Sequence, residues 1–243
     1  MNPADLVAIT NLEHAVLCMR PAEAIVQQHF RQIQEELLTR SSNLKEKNFT
    51  AISSSDLDLL FCAYDEHFLA RLCKSALGAR ALRFRLSRKM TRVGGSTRRS
   101  IDHDGAECYE IAIAIDMLFS CFRENDRRIT VCGVQCENRL EGLQRIFEHE
   151  VVHLIEMLCW RDSDCAAPRF QNISARLFLH RAHTHALVTQ TERAAQAGIG
   201  VGSHVTFIFE GRRKTGCVNR ITKHATVLSG GSRRQALFGR LAI

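Results

Sequence analysis

Phe147-Glu148-His149-Glu150-Val151-Val152-His153 sits inside an apolar-periodic segment running from Asn138 to Trp160, and the reading of that segment decides the fold. At about 100° per residue, Leu140, Leu143, Phe147, Val151, Leu154 and Leu158 fall on one stripe, which predicts a helix with that stripe in the core. His149 and His153 fall on the opposite side, one turn apart, where two imidazoles can hold one Zn²⁺ from a single face. Glu150 stands beside them, placed to take a proton from a metal-bound water rather than to complete the ligand tetrahedron. Gly142, Arg145, Ile146, Glu156 and Trp160 share the histidine side, a mixture that suits the wall of a cleft. Glu156, one turn beyond His153, reads first as a salt-bridge partner and second as a group that orients a metal ligand.

Outward from the helix, Leu82-Arg83-Phe84-Arg85-Leu86 alternates apolar and basic, predicting a strand with its arginines facing away from the core. Val93-Gly94-Gly95 reads as the turn closing a hairpin, and Tyr109 to Ile115 as a strand with Ile111, Ile113 and Ile115 inward. Asp56 to Leu77 reads as one amphipathic helix, with Leu59, Leu60, Ala63, Phe68 and Leu72 periodic and Ser55 or Asp56 as its cap. Residues 1–55 read as a helical packing extension in which Pro21 opens a helix carrying Ile25, Val26, Phe30, Ile33 and Leu37, followed by a polar loop from Ser41 to Ser55. Past Val201, His204 to Phe209, Lys214 to Ile221 and Ala225 to Leu228 suggest three short strands of a small SH3-like barrel over residues 199–230, with 231–243 as a tail.

The chain has 243 residues, 45% hydrophobic and 24% charged, enough for one substantial core and a small accessory module. No apolar run approaches the ~20 residues of a membrane span, and no export signal is visible at the start, so a cytoplasmic protein with no membrane partner is expected. The ten cysteines are scattered without a Cys-x-x-Cys pair, which fits reduced thiols and excludes a zinc ribbon. Charge is uneven. From Val201 onward there are eight basic residues (Arg212, Arg213, Lys214, Arg220, Lys223, Arg233, Arg234, Arg240) against Glu210 alone, which equals the whole net charge of +7. A second basic island, Arg80 to Arg99, contains no acid. Both islands, 80–99 and 212–240, are candidate nucleic-acid contacts.

The heptapeptide around His149, the strand Tyr109-Glu110-Ile111-Ala112-Ile113-Ala114 and the downstream Ala167-Pro168-Arg169-Phe170 together resemble the SprT-like zinc metallopeptidases, over about residues 56–190. The resemblance implies an α+β fold with a zincin-like core: a small β-sheet packed on the metal-binding helix, Zn²⁺ as cofactor, and Glu150 as general base. It also makes Tyr109 to Ile115 the candidate for the edge strand that aligns a peptide substrate. Metzincins would need a glycine at Glu156 and a histidine at Cys159, so that subclass is excluded.

The third ligand departs from the family. Where a His-Gly pair is usual, this chain reads Asp164-Cys165-Ala166-Ala167. Cys165 is the nearest competent donor, since a loop of five residues after Trp160 can span roughly 17 Å back to the site. His180 is the rival, brought level with His149 by a second helix starting near Pro168, and His183 and His185 are further candidates. The leading expectation is a zinc metallopeptidase with His149, His153 and Cys165 on the metal, Glu150 as catalytic base, and a polypeptide substrate associated with nucleic acid. The alternative is a nucleic-acid-binding protein whose zinc is structural and closed by four protein ligands.

Overall fold

The computed structural model describes residues 3–122, 127–209, 211–221, 225–228 and 236–238. Two helices, α1 (Pro3–Cys18) and α2 (Glu23–Arg40), precede α3 (Ser54–Leu69) and the short α4 (Leu72–Leu77). The single helix expected over Asp56 to Leu77 is therefore two. Ala70 and Arg71 both adopt positive φ (48° and 65°), and the buried Asp65 carboxylate accepts the Cys73 and Lys74 amides that open α4, fixing the break. The cap of α3 also lies earlier than expected, at Ser53, which forms a reciprocal capping box with Asp56.

Strands β1 (Ala81–Ser87), β2 (Gly95–Ile101) and β3 (Glu107–Ala114) form a sheet in the order β1-β3-β2, with β1 parallel and β2 antiparallel to β3. Two expectations fail here for one reason. Val93-Gly94-Gly95 does not close a hairpin, because β1 and β2 lie on opposite sides of β3; the hairpin is β2–β3, turned at Gly105. Nor is the Tyr109 strand an edge. Ile111, Ala112, Ile113 and Ala114 are all buried, and such a continuous apolar run takes the centre of the sheet, leaving β2 as the edge beside the long helix. Ile115, expected inward on that strand, instead opens the short helix α5 (Ile115–Ser120).

A two-residue hairpin, β4 (Ile129–Val131) and β5 (Val134–Cys136), leads into α6 (Arg139–Trp160). The Asn138 side chain caps α6 by accepting the Glu141 amide, while the Arg139 and Leu140 amides donate to Asn48 Oδ1 and the Lys47 carbonyl, so the loop before α3 holds the helix start. The apolar stripe from Leu140 to Leu158 is buried as the periodicity requires, in one core with Ile9, Leu12 and Val16 of α1, Val26, Phe30, Ile33 and Leu37 of α2, and Ile111 and Ile113 of β3. α7 (Pro168–Phe178) follows with proline in its first turn, then α8 (Gln190–Gln196). The fold is mixed α+β, and none of its described helices is long and apolar enough to cross a membrane.

The C-terminal strands β6 (His204–Phe209), β7 (Arg212–Ile221), β8 (Ala225–Leu228) and β9 (Ala236–Phe238) pair antiparallel in sequence order around a small core of Phe207, Val218 and Val227. Among the described residues they number four rather than the expected three, since the segment taken as a tail contributes β9. Glu210, Lys223, Arg233, Arg234 and Arg240 lie outside the described residues.

Candidate metal centre

Helix α6 aims His149 and His153 at one point: their Nε2 atoms are 3.1 Å apart. Ligand nitrogens on a tetrahedral zinc with bonds of about 2.0–2.1 Å are separated by about 3.3 Å, so this spacing already suits a shared ion. The Phe170 ring of α7 packs against both imidazoles, with centroid distances of 4.8 and 4.6 Å. Positive φ at Arg161 ends α6 and starts a loop that returns Cys165 to the pair. The ligand atoms of His149, His153 and Cys165 all lie within 4.8 Å of one another, and this group could hold a metal ion.

His180 takes no part in it. Helix α7 stops at Phe178, and Leu179 at φ 58° turns His180 into the core, where its Nε2 lies 2.8 Å from Glu148. Glu148, fully buried and one residue round the helix from His149, also accepts hydrogen bonds from Arg145 (3.0 Å) and the Tyr64 hydroxyl. The rival ligand is thus part of a buried polar layer behind the metal face. His183 and His185 line the same cavity as the metal group without joining the group itself.

Hydrogen bonds select the tautomer of each imidazole. His149 Nδ1 lies 3.8 Å from Cys132 Sγ, whose thiol donates to the Arg145 carbonyl at 3.7 Å, so the sulfur is left to accept from the ring. Cys132 is placed there by the turn of the β4–β5 hairpin, in which Cys132 and Gly133 both have positive φ (51° and 73°). A side chain at Gly133 would press on Arg181 Cβ at 2.8 Å, so glycine keeps the turn against the histidine-bearing segment. His153 Nδ1 lies 2.6 Å from Ser163 Oγ, which donates in turn to Glu156 at 2.7 Å. An Nδ1–H tautomer on both rings satisfies these contacts and would turn two Nε2 lone pairs to the shared point, where a cation would separate them. Burial, reinforced by His153 and the nearby His180, His183 and His185, pushes His149 down to about 3, and burial also lowers His153 against the pull of Glu156 and Asp164. Both shifts favour the neutral imidazole, the form that can ligate a metal.

Glu150, 3% exposed, points from α6 toward β2. Thr97 of β2 donates to its carboxylate at 2.8 Å, and Gly95 gives it room, since a Cβ there would fall 2.6 Å from Oε1. Burial pushes the Glu150 carboxyl up to about 8, against the hydrogen bond from Thr97. A cavity of about 360 Å³ joins these parts, lined by His149, Glu150, His153 and Cys165 together with Gly94 to Thr97 of the edge strand.

Comparison with protein-family models, curated proteins and solved structures gives no match. The reading of the site therefore rests on its own geometry. Cys132, Ser163, Thr97 and Gly95 belong to that geometry without having been picked out as site residues from the sequence. Cys132-Gly133 carried a usable signal, because an X-Gly pair that follows the β-branched run Ile129-Thr130-Val131 and precedes Val134 marks a tight hairpin turn. Thr97 and Ser163 carried none, being common residue types whose partners are 53 and seven to ten positions away.

Proposed function

We propose that this protein is a zinc-dependent metallopeptidase of the SprT-like kind, with His149, His153 and Cys165 as ligands and Glu150 as general base. The observation that carries the reading is the convergence of two Nε2 lone pairs and one thiol with a buried carboxylate in a cavity bordered by a free strand edge. Zn²⁺ bound there supplies a Lewis acid that polarises water and the scissile carbonyl. Cys165 would complete the ligand set as a thiolate. Glu150 would take the water proton on its carboxylate, the form that a cation bound between the neutral His149 and His153 would favour over the burial that raises it, and would return the proton to the leaving amine. Thr97 holds that carboxylate during both transfers. Strand β2 offers its main chain to an extended polypeptide, the substrate class this edge suits.

Three protein ligands leave a coordination position for water, whereas a structural zinc closes with four. Among the described residues the group numbers three, and the Cys132 thiol, which also touches His149, does so at Nδ1 rather than Nε2. This favours the enzyme over the structural-zinc alternative. Exposed arginines at 83–99 and on β7 support nucleic acid as the place where such a substrate is met.

The test is Glu150→Gln, which keeps size and removes the base. Zinc content near one per chain and an unchanged melting temperature, with cleavage of unfolded or DNA-bound proteins abolished, are the expected results. Wild type and variant that are equally inert would end the peptidase reading.

A further inference from the structure

We infer that Ser163 is a positioning residue that sets the tautomer of His153 and, with it, the affinity of the metal centre; the inference rests on the metal-centre reading above. Ser163 Oγ sits between two groups, 2.6 Å from His153 Nδ1 and 2.7 Å from Glu156 Oε2. Glu156 is fully buried, and its other oxygen accepts the Arg169 Nε–H at 2.6 Å. The Arg169 guanidinium is itself fixed over the Trp160 ring, 4.4 Å from its centroid.

A hydroxyl has one proton. Glu156, ion-paired with Arg169, offers acceptors only, so the Ser163 proton goes to Glu156 and a lone pair of Oγ faces His153. Nδ1 must then carry the ring proton, and Nε2 keeps the lone pair that points at His149 Nε2. The carboxylate reaches the histidine through an intervening serine because Glu156 lies one turn farther along α6, with one oxygen held by Arg169 of α7 and the other facing Ser163. Ser163 is also two residues before Cys165, so the bond that orients His153 ties down the loop bringing the thiol. One residue thus couples two ligands on different elements.

The experiment uses full-length, metal-free protein labelled with ¹⁵N on histidine, in which long-range NMR correlations report the protonated nitrogen, together with zinc titrations against a chelator. Wild type is expected to show His153 protonated at Nδ1. Ser163→Ala should lose that preference and bind zinc about 10- to 100-fold more weakly, and Ser163→Thr, which keeps the hydroxyl, should restore both. Glu156→Gln gives an independent reading: with its oxygen held by Arg169, the amide N–H faces Ser163, reverses the hydroxyl and moves the His153 proton to Nε2. Ser163→Ala with wild-type tautomer and zinc affinity, or Glu156→Gln that folds with Nδ1 still protonated, would overturn the proposal. A wild type that takes up no zinc would remove the metal-centre reading alone, since the tautomers of the metal-free proteins still decide what Ser163 does.

Discussion

Thr97 Oγ1 on the edge strand meets Glu150 on the metal helix twice, 2.9 Å from its carbonyl and 2.8 Å from its carboxylate. One hydroxyl thereby ties β2 to α6 and fixes the side chain assigned as base. Thr97→Val keeps the shape and removes the one hydroxyl proton that these two oxygens share, leaving buried Glu150 without that donor. The expected loss is about 1–3 kcal/mol of stability in urea denaturation, with a larger relative fall in peptide cleavage than in zinc content. Unchanged stability would show that the hydroxyl contributes nothing.

The proposed metal ligands and the buried layer behind them separate by mechanism. His149→Ala and His153→Ala should each bring bound zinc close to zero, and Cys165→Ser should weaken it strongly, because a thiolate supplies charge as well as a lone pair. His180→Ala should keep zinc while destabilising the fold, since it strips a partner from the fully buried Glu148. Metal analysis beside thermal melts distinguishes the two classes. Zinc loss in His180→Ala with retention in Cys165→Ser would reverse the assignment.

Helix α6 was legible because its signals are local: a 3.6-residue apolar stripe and paired histidines at i and i+4 lie within 23 residues. Strand order was not. Whether β1 pairs with β2 or with β3 depends on which strand buries both faces, and the alternating pattern of Leu82 to Leu86 is the same for either neighbour. The break at Ala70-Arg71 was invisible for a related reason: neither residue is a Gly or Pro, and the buried Asp65 that anchors the next helix looks in sequence like an exposed helix acid. Glu156 has the ion-pair partner that its first reading expected, Arg169, and it also accepts a hydrogen bond from Ser163.

Asp56 makes the loop before α3 sensitive to acid. Burial pushes its carboxyl up, but donors from Ser41, Asn43 and both the amide and hydroxyl of Ser53 outweigh that and hold it below its ordinary value. A depressed folded value means that the stabilisation is present above the unfolded value of about 4 and is lost as pH falls through the folded one. Asp56→Ala should therefore cost about 2–3 kcal/mol at pH 6–7, and the gap to wild type should narrow below about pH 4. Melts of both proteins from pH 3 to 7 check this; a gap that widens in acid would contradict the sign.

The two basic islands differ in geometry, and this reverses the order of contact that charge alone suggests. Arg212 and Arg213 are successive residues of β7, paired with Phe209 and Ile208, so they project to opposite faces of their sheet. Arg83 and Arg98 instead both register with Glu110 of β3, and Arg85, two residues along β1, lies on the same outer face, where it pairs with Glu110. Arg83, Arg85 and Arg98 thus form a shared exposed cationic surface, with Arg88, Lys89 and Arg92 exposed in the segment that follows β1. Duplex DNA binding should fall with salt at a slope of about −0.9 per phosphate contact and show little sequence preference. Replacing Arg83, Arg88 and Arg98 with Gln should flatten that slope more than replacing Arg212, Arg213 and Arg220, because residues on one face can neutralise phosphates together. Fluorescence anisotropy across a salt series measures both triple variants, and a larger loss in the β7 set would move the contact to the C-terminal sheet.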